Sequence, residues 1–171
     1  DGSMLTAYNN SFQKYNIEDG KFETEEKIYK NQQEDIEKKG VTLYENFYVE
    51  KALLNGTTLR IFKNRTKVDK VCLMKGKLPE KTGEIAIDRM YADRNKLSVG
   101  DSLQSGKRKW KITGLVALSD YSALFQNNND TMFDAVKFGA AVVTEEEFSS
   151  FNQSQLVYNY AWTYIHKPKT E

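Results

Sequence analysis

A chain of 171 residues with 39% hydrophobic and 29% charged residues can bury a core and is too apolar to be a disordered segment. Its 25 basic and 24 acidic residues leave a net charge of +1, which argues against the strongly basic surface that nucleic acid requires. The longest apolar runs, such as Ala140–Val143, fall far below the roughly 20 residues of a membrane-crossing helix. The first residues carry no signal-peptide pattern. An excised ectodomain and a cytosolic protein would both read this way.

In chain order, Leu5, Tyr8, Phe12 and Tyr15 follow helical spacing and predict an amphipathic helix over Met4–Tyr15. Asp19-Gly20 breaks it. Thr24 is placed to cap a second helix, with Glu25 and Glu26 in its first turn, Lys38 and Lys39 in its last, and Gly40 just beyond. Ile28, Tyr29, Gln32 and Ile36 give that helix only a thin apolar stripe, so it belongs on the surface. Val41–Leu54 and Thr57–Phe62 flank Asn55-Gly56, a pair favoured in type I′ turns, and predict a β-hairpin over 41–62. Leu59 and Ile61 alternate with Thr58 and Arg60, so the second arm has an inner face and an outer one.

Short strands are predicted at Glu84–Ile87, Ser102–Leu103, Trp110–Leu118 and Ala140–Val143, with a brief helix over Asp88–Leu97. Thr144 and Glu147 have the spacing of a capping box, which starts a helix running to about Phe151. A last strand is expected near Tyr158–His166, before Lys167-Pro168. The order is α+β, a mixed and mainly antiparallel sheet with flanking helices. It reads as a single domain, divisible into two lobes: helices and hairpin over about 1–67, and a strand-rich part over about 68–171.

Chemistry is hard to assemble from these residues. His166 is the single histidine, so a Ser-His-Asp or Cys-His mechanism would have to use it. No Gly-x-Ser-x-Gly elbow and no phosphate-cradling loop is present, and the carboxylate runs Glu25–Glu26 and Glu145–Glu147 are accounted for by helix starts. One cysteine and one histidine are too few for zinc. Asn127, Asn129, Asp130 and Asp134 offer oxygen ligands but lack the spacing of a calcium loop. Cys72, inside Val71-Cys72-Leu73-Met74, is expected to pack as a small buried hydrophobe. The basic runs Lys63–Lys70 and Lys107–Lys111 read as solvated loop ends, with Trp110 turned inward. The reading is therefore of a non-catalytic protein without cofactor or metal. What remains is a surface: Tyr121, Leu124, Phe125, Met132, Phe133, Val136 and Phe138 crowd large apolar side chains into a loop-like stretch. Tyr121, Phe125, Met132, Phe133 and Phe138 are the candidate partner-binding residues. Two short helices packed on the sheet are the plainer account of the same spacing.

The segment Lys75–Tyr121 has an ordered set of features: Gly76-Lys77-Leu78-Pro79, then Glu84-Ile85, then Gly100-Asp101, then a strand through Gly114-Leu115-Val116. This succession resembles the extracytoplasmic domain of MacB/FtsX-like ABC-transporter permeases over about residues 68–145, with Lys77 where the family usually carries Arg. The resemblance implies a MacB periplasmic-core-like fold on the outer face of a cell membrane. Its implied partners are a second permease subunit, a cytoplasmic ATP-binding subunit and an extracellular peptide or protein. There are no catalytic residues to carry over. The alternative is a ligand-sensing ectodomain for an antimicrobial peptide or a lipid-linked molecule. The abundance of Lys over Arg, with many Asn, Ile and Tyr, fits a low-GC Gram-positive bacterium by association.

Overall fold

The computed structural model describes residues 18–65, 70–118 and 137–165. Along them run β1 (Gly20–Thr24), α1 (Lys30–Glu37), β2 (Val41–Glu45), β3 (Tyr48–Ala52), β4 (Thr58–Lys63), β5 (Val71–Gly76), β6 (Glu84–Asp88) and α2 (Arg89–Arg94). They continue as β7 (Ser102–Ser105), β8 (Arg108–Leu118), β9 (Phe138–Val143), α3 (Glu145–Ser149), a 3₁₀ turn at Gln153–Gln155 and β10 (Tyr158–Tyr164). The fold is α+β and dominated by strands. Among the described residues the strands form two sheets: a small one ordered β1-β10-β2, and a seven-stranded one ordered β3-β4-β9-β6-β8-β5 with β7 also paired to β8.

The large sheet is mixed. β4 with β9 and β6 with β8 are parallel, and the other pairs are antiparallel. Both faces are apolar. One carries Val49, Leu59, Ile61, Ile85, Ile87, Trp110, Ile112 and Ala141, covered by Tyr91 and Ala92 of α2 and by Phe151 beyond α3. The other carries Tyr48, Phe62, Ala86, Val116, Leu118, Ala140 and Val142. Burying each large aliphatic or aromatic side chain stabilises by about 1.5–3 kcal/mol at most, so this two-sided sheet holds most of the described core. A bulge at Thr113 resets the alternation of β8. Before it Trp110 and Ile112 lie on the first face, and after it Val116 and Leu118 lie on the second.

Three local expectations change. The stretch from Thr24 is not a helix start. Gly20–Thr24 pairs antiparallel with β10, Phe22 stacks on Tyr160 at 5.4 Å, and the helix begins only at Lys30. A tertiary pairing with an aromatic-rich strand overrides the local acidic signal. The predicted hairpin exists, but its first arm divides at Asn46-Phe47. Val41–Glu45 joins the small sheet, and Tyr48–Ala52 pairs with Thr58–Lys63. Its turn is not type I′, because Gly56 has φ +86° while Asn55 keeps a negative φ. The Gly56 N–H donates to the Leu53 carbonyl and the Leu53 N–H to Thr57, so the Gly sits as the left-handed residue after an ordinary turn. The third change is in the capping box. Thr144 Oγ1 accepts from the Glu147 N–H at 3.1 Å, but the Glu147 carboxylate turns away to accept from Gly83 N–H at 2.6 Å and from Arg108.

Candidate interaction surfaces

The resemblance-bearing segment folds as one clamp. Gly76 lies opposite Gly114 in the β5–β8 register. A Cβ on Gly76 would stand 2.2 Å from the Thr113 carbonyl oxygen, and one on Gly114 would stand 2.3 Å from the Lys77 carbonyl oxygen. The Lys77 N–H donates to Thr113 at 2.9 Å, and Thr113 Oγ1 donates back to the Lys77 carbonyl at 3.0 Å. Glu84 accepts from the Glu80 N–H, which closes the turn after Pro79 and holds its carboxyl below the usual range. These residues build a turn and a bulge.

Of the candidate partner-binding residues, Tyr121, Phe125, Met132 and Phe133 lie outside the described residues, as do His166 and the Asn127–Asp134 oxygen ligands. Phe138 opens β9, half-buried against the second core cluster, with the Arg60 guanidinium 5.2 Å from its ring centre. Arg60 also covers the Tyr48 ring at 4.2 Å. Trp110 is fully buried, as its place in the strand predicts. Cys72 is not: it is half-buried on β5, an edge strand of the large sheet among the described strands, with Sγ 3.8 Å from Met74 Sδ. The apolar run predicted burial, but a strand at a sheet edge shields its side chains from one side only. Leu73 and Met74 beside it are 43% and 46% exposed, and Lys70, Lys75 and Lys77 flank them.

Sequence reasoning missed a cleft where the two sheets meet. It encloses about 310 Å³, near the lower end for small-molecule sites. Glu45 and Tyr158 come from the small sheet, Lys63 from the end of β4, Phe148 from α3, and Asn152 and Leu156 from the chain that crosses back from α3 to β10. Phe47 lies edge-on to Tyr158 at 5.2 Å and to Tyr160 at 5.3 Å. Phe148 meets Phe151 edge-on at 5.8 Å. Lys27 pairs loosely with Glu45 at 3.6 Å. The only hint in the sequence was aromatics at 47, 148, 151 and 158, too far apart to be read together. Among the described residues no group of three or more His, Cys, Asp or Glu side chains could hold a metal ion, and no helix is long and apolar enough to cross a membrane.

The chain enters and leaves the described fold at one place. β1 and β10 are neighbours. The Asp19 N–H donates to the Trp162 carbonyl at 2.8 Å, the Tyr164 N–H to the Asp19 carboxylate at 2.8 Å, and the Ile165 N–H to the Gly40 carbonyl at 2.9 Å.

No protein-family model and no curated protein matches the chain. Among solved structures it is similar to the periplasmic region of MacB from Actinobacillus actinomycetemcomitans, at 10% identity and a TM-score of 0.43, over 76% of this chain and 59% of that one. It is also similar to a domain of a protein described as a permease from Porphyromonas gingivalis, at 13% identity and a TM-score of 0.37, over 75% of this chain and 61% of that one. The chain thus spans less than two thirds of either structure.

Proposed function

We propose that the chain is the extracytoplasmic domain of a MacB/FtsX-like ABC-transporter permease and acts without catalysis. In this role it transmits movement driven by a cytoplasmic ATP-binding subunit to a substrate or partner outside the membrane. The observation that carries the reading is the shared doorway of the chain. A domain inserted between two neighbouring transmembrane helices must start and finish side by side, and Asp19 donates its N–H to Trp162 and accepts one from Tyr164. The large sheet, built from residues between β2 and β10, stands as an insertion beyond that doorway. The ordered Gly76–Val116 features, folded into a single clamp, support the same family.

The test is the gene itself, followed by topology. Segments of about 20 apolar residues encoded directly before Asp1 and after Glu171 are expected, with the domain reached by an impermeant reagent in intact cells. Polar flanks, or protection from that reagent, would overturn the reading. The sensing alternative is favoured by one observation, the aromatic cleft between the sheets.

A further inference from the structure

We propose that the cleft between the two sheets binds a carboxylate carried next to a flat or branched apolar group. Such a group occurs at the C-terminus of a peptide ending in an apolar residue, and also in a free apolar acid. The proposal does not rest on the permease reading.

Lys63 carries the argument. It is the last residue of β4, and the strand's alternation puts it on the face of Leu59 and Ile61. Its ammonium has no carboxylate within ion-pair distance among the described residues, although it lines a cleft that holds one, Glu45. Glu45 is taken by Lys27, and Glu147 on the nearby helix is taken by Arg108. Among the described residues the cleft therefore keeps one positive charge without a carboxylate partner.

Around that charge the walls are aromatic. Phe47, Phe148 and Tyr158 offer ring faces and edges, and Phe151 behind them is already covered by Arg108 at 4.6 Å and Lys51 at 5.3 Å. The Asn152 and Gln153 amides border the opening, where they can hydrogen-bond a peptide unit. A cation and rings lining one cleft of this size select an anion with a small apolar appendage, because each part of such a ligand finds its complement. A neutral apolar molecule would leave Lys63 less hydrated and unpaired. A hydrophilic anion would leave the rings uncovered.

The seam location gives binding a consequence. Only two crossings join the sheets along the described chain, β2 to β3 and α3 to β10, and they run side by side. The Asn46 N–H donates to the Asn159 carbonyl at 2.8 Å, and the Val157 N–H donates to Tyr48 at 2.8 Å. A ligand wedged beside this double strand touches both sheets and fixes the angle between them.

The experiment titrates the chain with N-acetylphenylalanine, its C-terminal amide and octanoate, and follows backbone amide chemical shifts by NMR. The acid should move the resonances around Phe47, Lys63, Asn152 and Tyr158, and the amide should bind about tenfold more weakly, the worth of a hydrogen bond to a charged group. Lys63→Met keeps the apolar stem, should leave the melting temperature unchanged, and should weaken the acid to the level of the amide. Stronger binding of octanoate than of N-acetylphenylalanine would assign the site to free acids, and the reverse to peptide termini; either supports the proposal. Equal binding of acid and amide, an unaffected Lys63→Met variant, or shifts confined to other surfaces would overturn it.

Discussion

Gly76 and Gly114 show how a residue that looks like punctuation can be a packing requirement. Each stands where the backbone of the other's strand passes too close for a methyl group. Gly114→Ala should therefore destabilise by about 1–3 kcal/mol, the range for overpacking, measurable as a lower denaturation midpoint at unchanged slope. An unaltered midpoint would mean that the clamp yields. The sequence showed these glycines as family features, but the contact between them became visible only once β5 and β8 were in register. Cys72 runs the other way: its neighbours in sequence promised burial, and its strand's position denies it. A maleimide should label it in the folded protein at a substantial fraction of the rate in denaturant. Strong native protection would show that the β5 edge is covered.

Elements were legible where a short-range rule decided them and illegible where a distant strand did. The hairpin was announced by Asn55-Gly56, and β6, β8 and β9 by apolar runs between turns. β1 was not, because its pairing with β10 depends on residues far along the chain. Gly56→Val tests the hairpin. No atom lies within 4 Å of a Cβ there, so the cost is conformational alone, about 1–2 kcal/mol for forcing a β-branched residue to positive φ. A stable variant would mean that the turn rearranges freely.

The start of α2 offers a pH test. Asp88 accepts from the Tyr91 N–H at 3.1 Å, and burial is the main cause that raises its carboxyl above the ordinary value. A folded-state pKa above the unfolded one means that the native protein holds the proton longer. This contribution is full below about pH 4 and fades as the pH rises through the raised value. Asp88→Asn keeps a good cap without the buried charge. Its melting temperature should gain on the natural protein's as the pH climbs from about 4 to 7, and a gap that shrinks instead would reject the assignment.

For the molecule as a whole, the two sheets differ in what they carry: the small one holds both ends of the described fold, and the large one carries the two apolar core clusters. The fold class could be read from the order of elements. The cleft could not, since its lining gathers from four separate stretches and no spacing rule joins them. The aromatic stretch leading into β9 is proposed as a contact with a second permease subunit or an outside partner. Phe125→Ser with Phe133→Ser should leave the domain folded by circular dichroism yet abolish transport or signalling by the full-length complex. Loss of folding would make both residues core, and full activity would make the stretch dispensable.

Among the described strands, the middle strand of the small sheet is the last one synthesised. β1 and β2 are each bonded to β10 and not to each other, so both wait as open edges while the whole large sheet is made. Assembly therefore finishes where it began, and closing the domain is coupled to the arrival of its final strand. A ribosome or a translocation channel that releases the chain early leaves Phe22 and Leu43 without their partners Tyr160 and Trp162. The nascent domain thus carries two unpaired strands until β10 has emerged, and a copy cut short before β10 keeps both of them.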